Sequence, residues 1–159
     1  MNQPHITLRE VEESDIPIFF EQQCNPAALY MSAFTPPNPD DYDAFLTRWT
    51  NRLNDPTKSS KTLLVDGVVA GSIVTFVMED ELSVGYGLDQ AFWGKGIMTE
   101  ALTLFLAQFP TRPLYARVVK DNIGSRRVLE KCGFTLDREG KGFANARGME
   151  MEEFILKLA

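Results

Sequence analysis

The segment Trp93-Gly94-Lys95-Gly96-Ile97-Met98-Thr99-Glu100-Ala101 places two glycines in a turn that opens a long apolar helix. Glycines at that spacing let backbone N–H groups converge on one spot, and the unpaired N–H groups and dipole of the helix start add positive potential there. Such a turn cradles phosphate or pyrophosphate. It is not a P-loop, because no Gly-Lys-Ser/Thr follows at the right spacing. Nor is it the dinucleotide fingerprint, because Thr99 stands where the third glycine belongs. Other chemistries lack the residues they need. His5 is the single histidine, so a Ser-His-Asp or Cys-His relay would depend on it alone. Cys24 and Cys132 form no Cys-x-x-Cys pair. They read as free thiols of a reducing compartment, and no metal is expected.

The elements that position this turn follow from periodicity and turn chemistry. His5 to Arg9 alternates as a strand, with Ile6 and Leu8 on one face. Ser14 is the expected N-cap of a helix through Gln23. Residues Asn25 to Asp40 hold four prolines and read as an irregular loop. A helix over Asp40 to Leu53 follows, with Phe45, Trp49 and Leu53 on its apolar face. Lys61 to Val65 and Val68 to Val77 form a hairpin about Asp66-Gly67, a pair that tolerates the positive φ of a two-residue turn. The strand Leu82 to Leu88 is interrupted by Gly85 and Gly87, which suggests a bulge or a close approach of backbone to a ligand. The helix from Gly94 to Phe109 is apolar nearly all round, as expected of one covered from several sides. Leu114 to Val119 is a strand, and a helix opens at Asn122 and ends at Gly133. Two last strands, Phe134 to Leu136 and Glu150 to Leu158, flank a loop holding Gly140, Gly142 and Gly148. The order predicts an α+β (mixed α/β) fold in one domain over residues 1–159, with β-α-β character in the second half.

Composition narrows the setting. The chain has 159 residues, 44% hydrophobic and 24% charged, which argues against disorder and coiled coil. No apolar run reaches the length of a membrane span, and the first fifteen residues lack the pattern of a leader peptide. A cytoplasmic protein is expected. The net charge of −6 disfavours nucleic acid and suits a cationic substrate.

Three blocks, taken together, go beyond any one of them: Val84-Gly85-Tyr86-Gly87-Leu88, then Phe92 to Ala101, then Asp121-Asn122-Ile123-Gly124-Ser125 through Cys132-Gly133-Phe134. In this order and spacing the chain resembles the GNAT family of acetyl-CoA-dependent N-acetyltransferases, nearest to the ribosomal-protein N-terminal acetyltransferase subgroup. The resemblance is strong over residues 82–136.

The resemblance implies a mostly antiparallel central sheet flanked by helices, with one splayed strand pair. Trp93, Gly94, Lys95, Gly96, Ile97, Met98 and Thr99 would hold the CoA pyrophosphate through backbone N–H groups. The strand end Tyr86, Gly87 and Leu88 would pair with the pantetheine arm, and the Leu88 N–H would donate to the thioester oxygen. Asn122 would touch the pantetheine arm or cap its own helix, and Arg126 or Arg127 would reach the 3′-phosphate. Leu129 stands where many relatives carry a proton-donating Tyr, which leaves Ser125, one turn earlier, as proton donor. Ser83 stands where many of the subgroup carry Glu. A carboxylate of Glu79-Asp80-Glu81, Glu81 foremost, would then take the amine proton. Tyr30 and Phe34 would form the acceptor wall. These expectations add up to direct transfer of acetyl to a primary amine of a protein N-terminus or a small molecule, by a monomer or homodimer. The rival readings are a CoA-binding sensor that has lost catalysis and a nucleotide-binding protein using the same glycine turn.

Overall fold

The computed structural model describes residues 3–159; residues 1–2, the start of the stretch without a leader's pattern, lie outside them. The strands are β1 (Ile6–Glu10), β2 (Ser60–Val65), β3 (Val68–Met78), β4 (Glu81–Leu88), β5 (Leu114–Val119), β6 (Thr135–Ala144) and β7 (Met149–Leu158). They form one sheet in the order β1-β2-β3-β4-β5-β7-β6. Only the β4–β5 pair is parallel. The helices are α1 (Ile16–Cys24), α2 (Pro26–Ser32), α3 (Tyr42–Leu53), α4 (Ile97–Gln108) and α5 (Ile123–Lys131).

Each face of the sheet is covered by a separate apolar cluster. On one face α4 and α5 bury Ile97, Met98, Ala101, Leu102, Phe105 and Leu129 against Leu63, Ile73, Val84, Ala116 and Leu156. Each such large side chain contributes about 1.5–3 kcal/mol by leaving water. On the other, α1 and α3 bury Ile16, Phe19, Phe45 and Trp49 against Val69 and Val74. A bulge in β3 at Ala70, between the pairs Leu63↔Gly71 and Leu64↔Val69, lets Val69 and Val74 face the same way despite their odd spacing.

Several expectations needed correction. The proline-rich stretch is not all loop, because Pro26 sits at the first helical position of α2. Its fixed φ suits that position, and Asn25 caps the helix by accepting from Ala27 N and Ala28 N. Ser14 is no N-cap. The start of α1 is organised by a 3-10 turn, Glu13–Asp15, in which the Asp15 carboxylate accepts from Glu12 N. Leu53 is exposed at the end of α3, and Leu104 and Ala107 line an exposed side of α4, so that helix is buried on one face only. Helix α4 starts at Ile97, with Gly94 and Gly96 in the turn before it. Gly140 and Gly142 lie inside β6, paired with Glu153 and Met151, and only Gly148 is in the connecting turn. The β4 strand has no bulge, since its pairing with β3 runs unbroken from Gly71↔Leu88 to Met78↔Glu81. Asp66-Gly67 does turn with positive φ at both residues, and Gly133 ends α5 the same way.

Candidate active site

The parallel pair β4–β5 meets at one register position, Ser83↔Tyr115. Beyond it the strands part. Asp89 N–H donates to Ala70 O at 2.8 Å, so by the two-residue alternation of an antiparallel ladder Gly87 and Gly85 also bond toward β3. The N–H groups of Tyr86 and Leu88 therefore face the gap toward β5, where the sheet supplies no acceptor. The Leu88 carbonyl, on the same side, accepts from Trp93 Nε1 at 2.8 Å. Trp93 thus pins the glycine turn to the strand end. A cavity of about 170 Å³ fills the wedge. Its walls are Val84, Gly85 and Tyr86 on β4, Ala116 to Val119 on β5, and Asn122, Ser125 and Leu129 at α5, with Met31, Ser32 and Phe34 at the edge.

At the end of β4, Gly94 and Gly96 have φ of 73° and 74°. These are left-handed values that glycine adopts without a Cβ penalty. Nothing lies within 4 Å of the position a Cβ would take at either glycine, so both face open space. Gly96 is the N-cap of α4 and has no side chain to cap with. The N–H groups of Ile97, Met98 and Thr99 open the helix, and Glu100 N is the first to find a helical acceptor, Gly96 O at 3.2 Å. The side chains of Ile97 and Met98 are in the core, which fixes the helix end rigidly under the turn. Lys95 is exposed and makes no ion pair among the described residues.

Asn122 caps α5, its Oδ1 accepting from Ser125 N at 3.2 Å, while its Nδ2 donates to Met31 O at 3.3 Å. It joins α2 to the wedge. Ser125 Oγ lies 2.7 Å from Tyr86 Oη, and the Tyr86 hydroxyl also lies 3.3 Å from Ser125 O. Burial pushes the Tyr86 hydroxyl up to about 12, with the Ser125 hydrogen bond pulling the other way, so it stays protonated at neutral pH. Leu129 is buried in the wall beside them. The wedge therefore contains a paired phenol and alcohol that can donate to a developing anion, which the residue order alone does not reveal.

Other expected residues fall elsewhere. Glu81 lines neither this cavity nor the one described next. It is bound to Arg138, with Arg117 3.7 Å away. Both guanidiniums lie against its carboxylate. Tyr30 lines neither of these two cavities; its ring lies under the Arg147 guanidinium at 3.6 Å, and Arg147 is held bidentate by Asp121. Phe34 does reach the wedge. Arg126 is occupied, stacked 4.1 Å over Phe154 and 3.5 Å from Glu130, whereas Arg127 is exposed and unpaired among the described residues. Cys24 and Cys132 are both free.

A second cavity, of about 480 Å³, lies on the α3 side of the sheet. It is lined by Arg48, Trp49, Asn51, Arg52, Lys58, Ser72 and Val74, and by Gly85 and Tyr86, which also wall the wedge. The two cavities thus share lining residues at the middle of β4. Sequence reasoning missed this side. Its one trace is the i, i+4 spacing of Arg48 and Arg52 on either side of the buried Trp49.

A split parallel strand pair, free N–H groups in the split and an uncapped helix start beyond it define the class of an acyl-CoA-type transferase. The acetyltransferase (GNAT) domain family matches residues 5–135, and the chain belongs to that family. It is 47% identical over 55 residues to the probable N-acetyltransferase YjcK of Bacillus subtilis (strain 168), a match covering 32% of this chain and 30% of that protein. The fold is similar to RimL, a ribosomal-protein alpha-N-acetyltransferase in complex with coenzyme A, with TM-score 0.78 and 20% identity over 94% of this chain and 92% of that one. It is equally similar to yncA from Salmonella typhimurium with acetyl-CoA, with TM-score 0.78 and 18% identity over 96% and 92%.

Proposed function

We propose that residues 1–159 act as a single N-acetyltransferase domain that moves acetyl from acetyl-CoA to a primary amine by direct attack in a ternary complex. The observation that carries this reading is the wedge between β4 and β5, with unpaired N–H groups along β4 and the Tyr86–Ser125 hydroxyl pair in its lining. The residues present fit the cosubstrate. The open left-handed glycines and the free N–H groups of Ile97, Met98 and Thr99 would receive the pyrophosphate, and Arg127 the 3′-phosphate. Tyr86, Gly87 and Leu88 would hold the pantetheine arm as an added strand, with Asn122 opposite.

Acetyl-CoA supplies an acyl group already activated as a thioester. The chain's part is position and charge. One free N–H stabilises the oxyanion, that of Tyr86, which lines the wedge; the Leu88 N–H, about 6.6 Å further along the strand, cannot reach the same oxygen and is left to the pantetheine arm. A preorganised donor of this kind contributes about 2.7–4 kcal/mol. The pair Ser125–Tyr86 donates to the departing sulfur. As the C–N bond forms and the C–S bond breaks, the amine proton leaves to water, since no carboxylate lines either cavity. Glu81 would act only through such water.

The test is thiol release from acetyl-CoA with a panel of amines, run beside a thermal-shift titration with acetyl-CoA. Amine-dependent release with an acetyl-CoA-induced shift supports the enzyme. A shift without release by any amine supports the sensor reading, which the Leu129 wall and the carboxylate-free cavities favour. No shift at all removes both.

A further inference from the structure

We infer that the acceptor is a small primary amine carrying an anionic group, a carboxylate or phosphate, received by Arg48, Arg52 and Lys58 in the cavity under α3. The inference rests on the acetyltransferase reading and names the acceptor class for the same site.

The second cavity shares Gly85 and Tyr86 with the wedge as lining residues, so an amine lying in it would approach a carbonyl held at the Tyr86 N–H from the face opposite α4. Its volume, about 480 Å³, lies in the range of small-molecule sites, about 300–1,000 Å³. Its charged lining is all positive in a chain whose net charge is −6. A ligand answers to the charge beside it, and the local lining here is opposite in sign to the whole molecule. Arg48 and Arg52 lie four apart and project from one side of α3. Arg52 donates to Thr75 O at 2.6 Å and lies 5.8 Å over the Trp49 ring, which fixes the guanidinium and leaves its other N–H groups for a ligand. Among the described residues neither Arg48 nor Arg52 has an ion-pair partner within 4.0 Å, and Lys58 has only Asp55 at 3.9 Å. Burial lowers the pKa of Arg52 and outweighs the opposing charge of Asp55, which makes no ion pair with it within 4.0 Å, so the guanidinium is partly desolvated with no carboxylate in contact. The same positive field solves a second problem. It destabilises the ammonium form of a nearby amine and so yields the neutral nucleophile without a carboxylate base.

The experiment compares amino acids as free acids with the same amino acids as amides, and 2-aminoethylphosphonate with ethanolamine, at saturating acetyl-CoA. The acid of each pair is expected to exceed its neutral partner in kcat/KM by about tenfold or more, and Arg48→Glu to bring that ratio to about one or below. Arg48 is exposed, so the variant should fold, and its melting temperature is measured beside the parent's. Preference for the amide or for spermidine overturns the inference, as does an unchanged ratio in folded Arg48→Glu. If no panel amine turns over, the site is read by binding. With CoA present, 2-aminoethylphosphonate should raise the melting temperature of the parent and not of Arg48→Glu, and no rise in the parent overturns the inference. Acetyl-CoA stabilisation combined with preference for neutral amines removes this inference alone. Absence of acetyl-CoA stabilisation removes the acetyltransferase reading and this one together.

Discussion

The hydroxyl pair in the wedge separates two roles that a relative with a helix tyrosine would combine. Ser125 and Tyr86 both line the cavity, their hydroxyls 2.7 Å apart, and the phenol comes from β4 rather than from α5. Serine alone is a poor acid, but a hydrogen bond to developing thiolate needs no full proton transfer. Ser125→Ala should lower kcat by roughly 10 to 100 fold, about 1.4 to 2.7 kcal/mol, with acetyl-CoA affinity little changed. Tyr86→Phe should fall in the same range. Because the two hydroxyls act as one unit, the double variant should lose less than the product of the two single effects. Single-turnover rates of the three variants read this directly, and a double variant that multiplies the losses would show the hydroxyls to be independent.

At the scale of elements, the positive potential of the proposed phosphate site depends on α4 having no side-chain cap. Gly96 holds φ of 74° where a β-branched residue is strongly disfavoured, and the open space around it is where the phosphates would lie. Gly96→Val should weaken CoA binding by about tenfold or more, roughly 1.4 kcal/mol, in a titration of folded protein. Unchanged affinity would remove the cradle assignment. Asn122 links elements differently, capping α5 while holding α2 through Met31 O. Asn122→Ala should cost about 1 kcal/mol in a denaturant melt from the cap alone, and more if release of α2 loosens the wedge edge at Met31 and Phe34.

For the whole molecule, acetyl-CoA at about 100 times its Kd should stabilise the native state by about 2.7 kcal/mol, a rise of roughly 5–10 °C in melting temperature. A different group governs acid stability. Asp15 is buried, which pushes its carboxyl up, but Arg9, Glu12 N and Thr62 outweigh this and hold it at about 2, below its ordinary 3.8. A carboxyl depressed in the folded state stabilises above its unfolded pKa and loses that contribution as pH falls through the folded one. The contribution, about 2 kcal/mol, should be complete above about pH 4 and fade toward pH 2. Asp15 ties β1, the 3-10 turn and β2 together, so the unfolding free energy from urea melts should fall with pH over this range in the parent, with a smaller slope in Asp15→Asn. Equal slopes would place the acid lability elsewhere.

The glycine turn, the Asp66-Gly67 hairpin, the Asn122 cap and the Gly133 stop were legible in the chain because each is decided by a few neighbouring residues: a positive φ, a side-chain acceptor, a missing Cβ. The signals of α2 are local too, but Asn25-Pro26 is a helix start hidden among prolines that elsewhere do break the chain. What only the tertiary structure decided lies between residues distant in sequence. Tyr86 and Ser125 are 39 residues apart, and their contact depends on α5 packing over β4. The wedge exists because β4 and β5 meet at one position and then diverge, a property of sheet geometry that the residues reach only through the family resemblance. The arginines of α3 look like a solvated helix flank in the sequence. They become the lining of a cavity at Gly85 because β3 and β4 pass beneath them, and long-range packing of that kind is chosen by burial of Phe45 and Trp49, not by the arginines themselves.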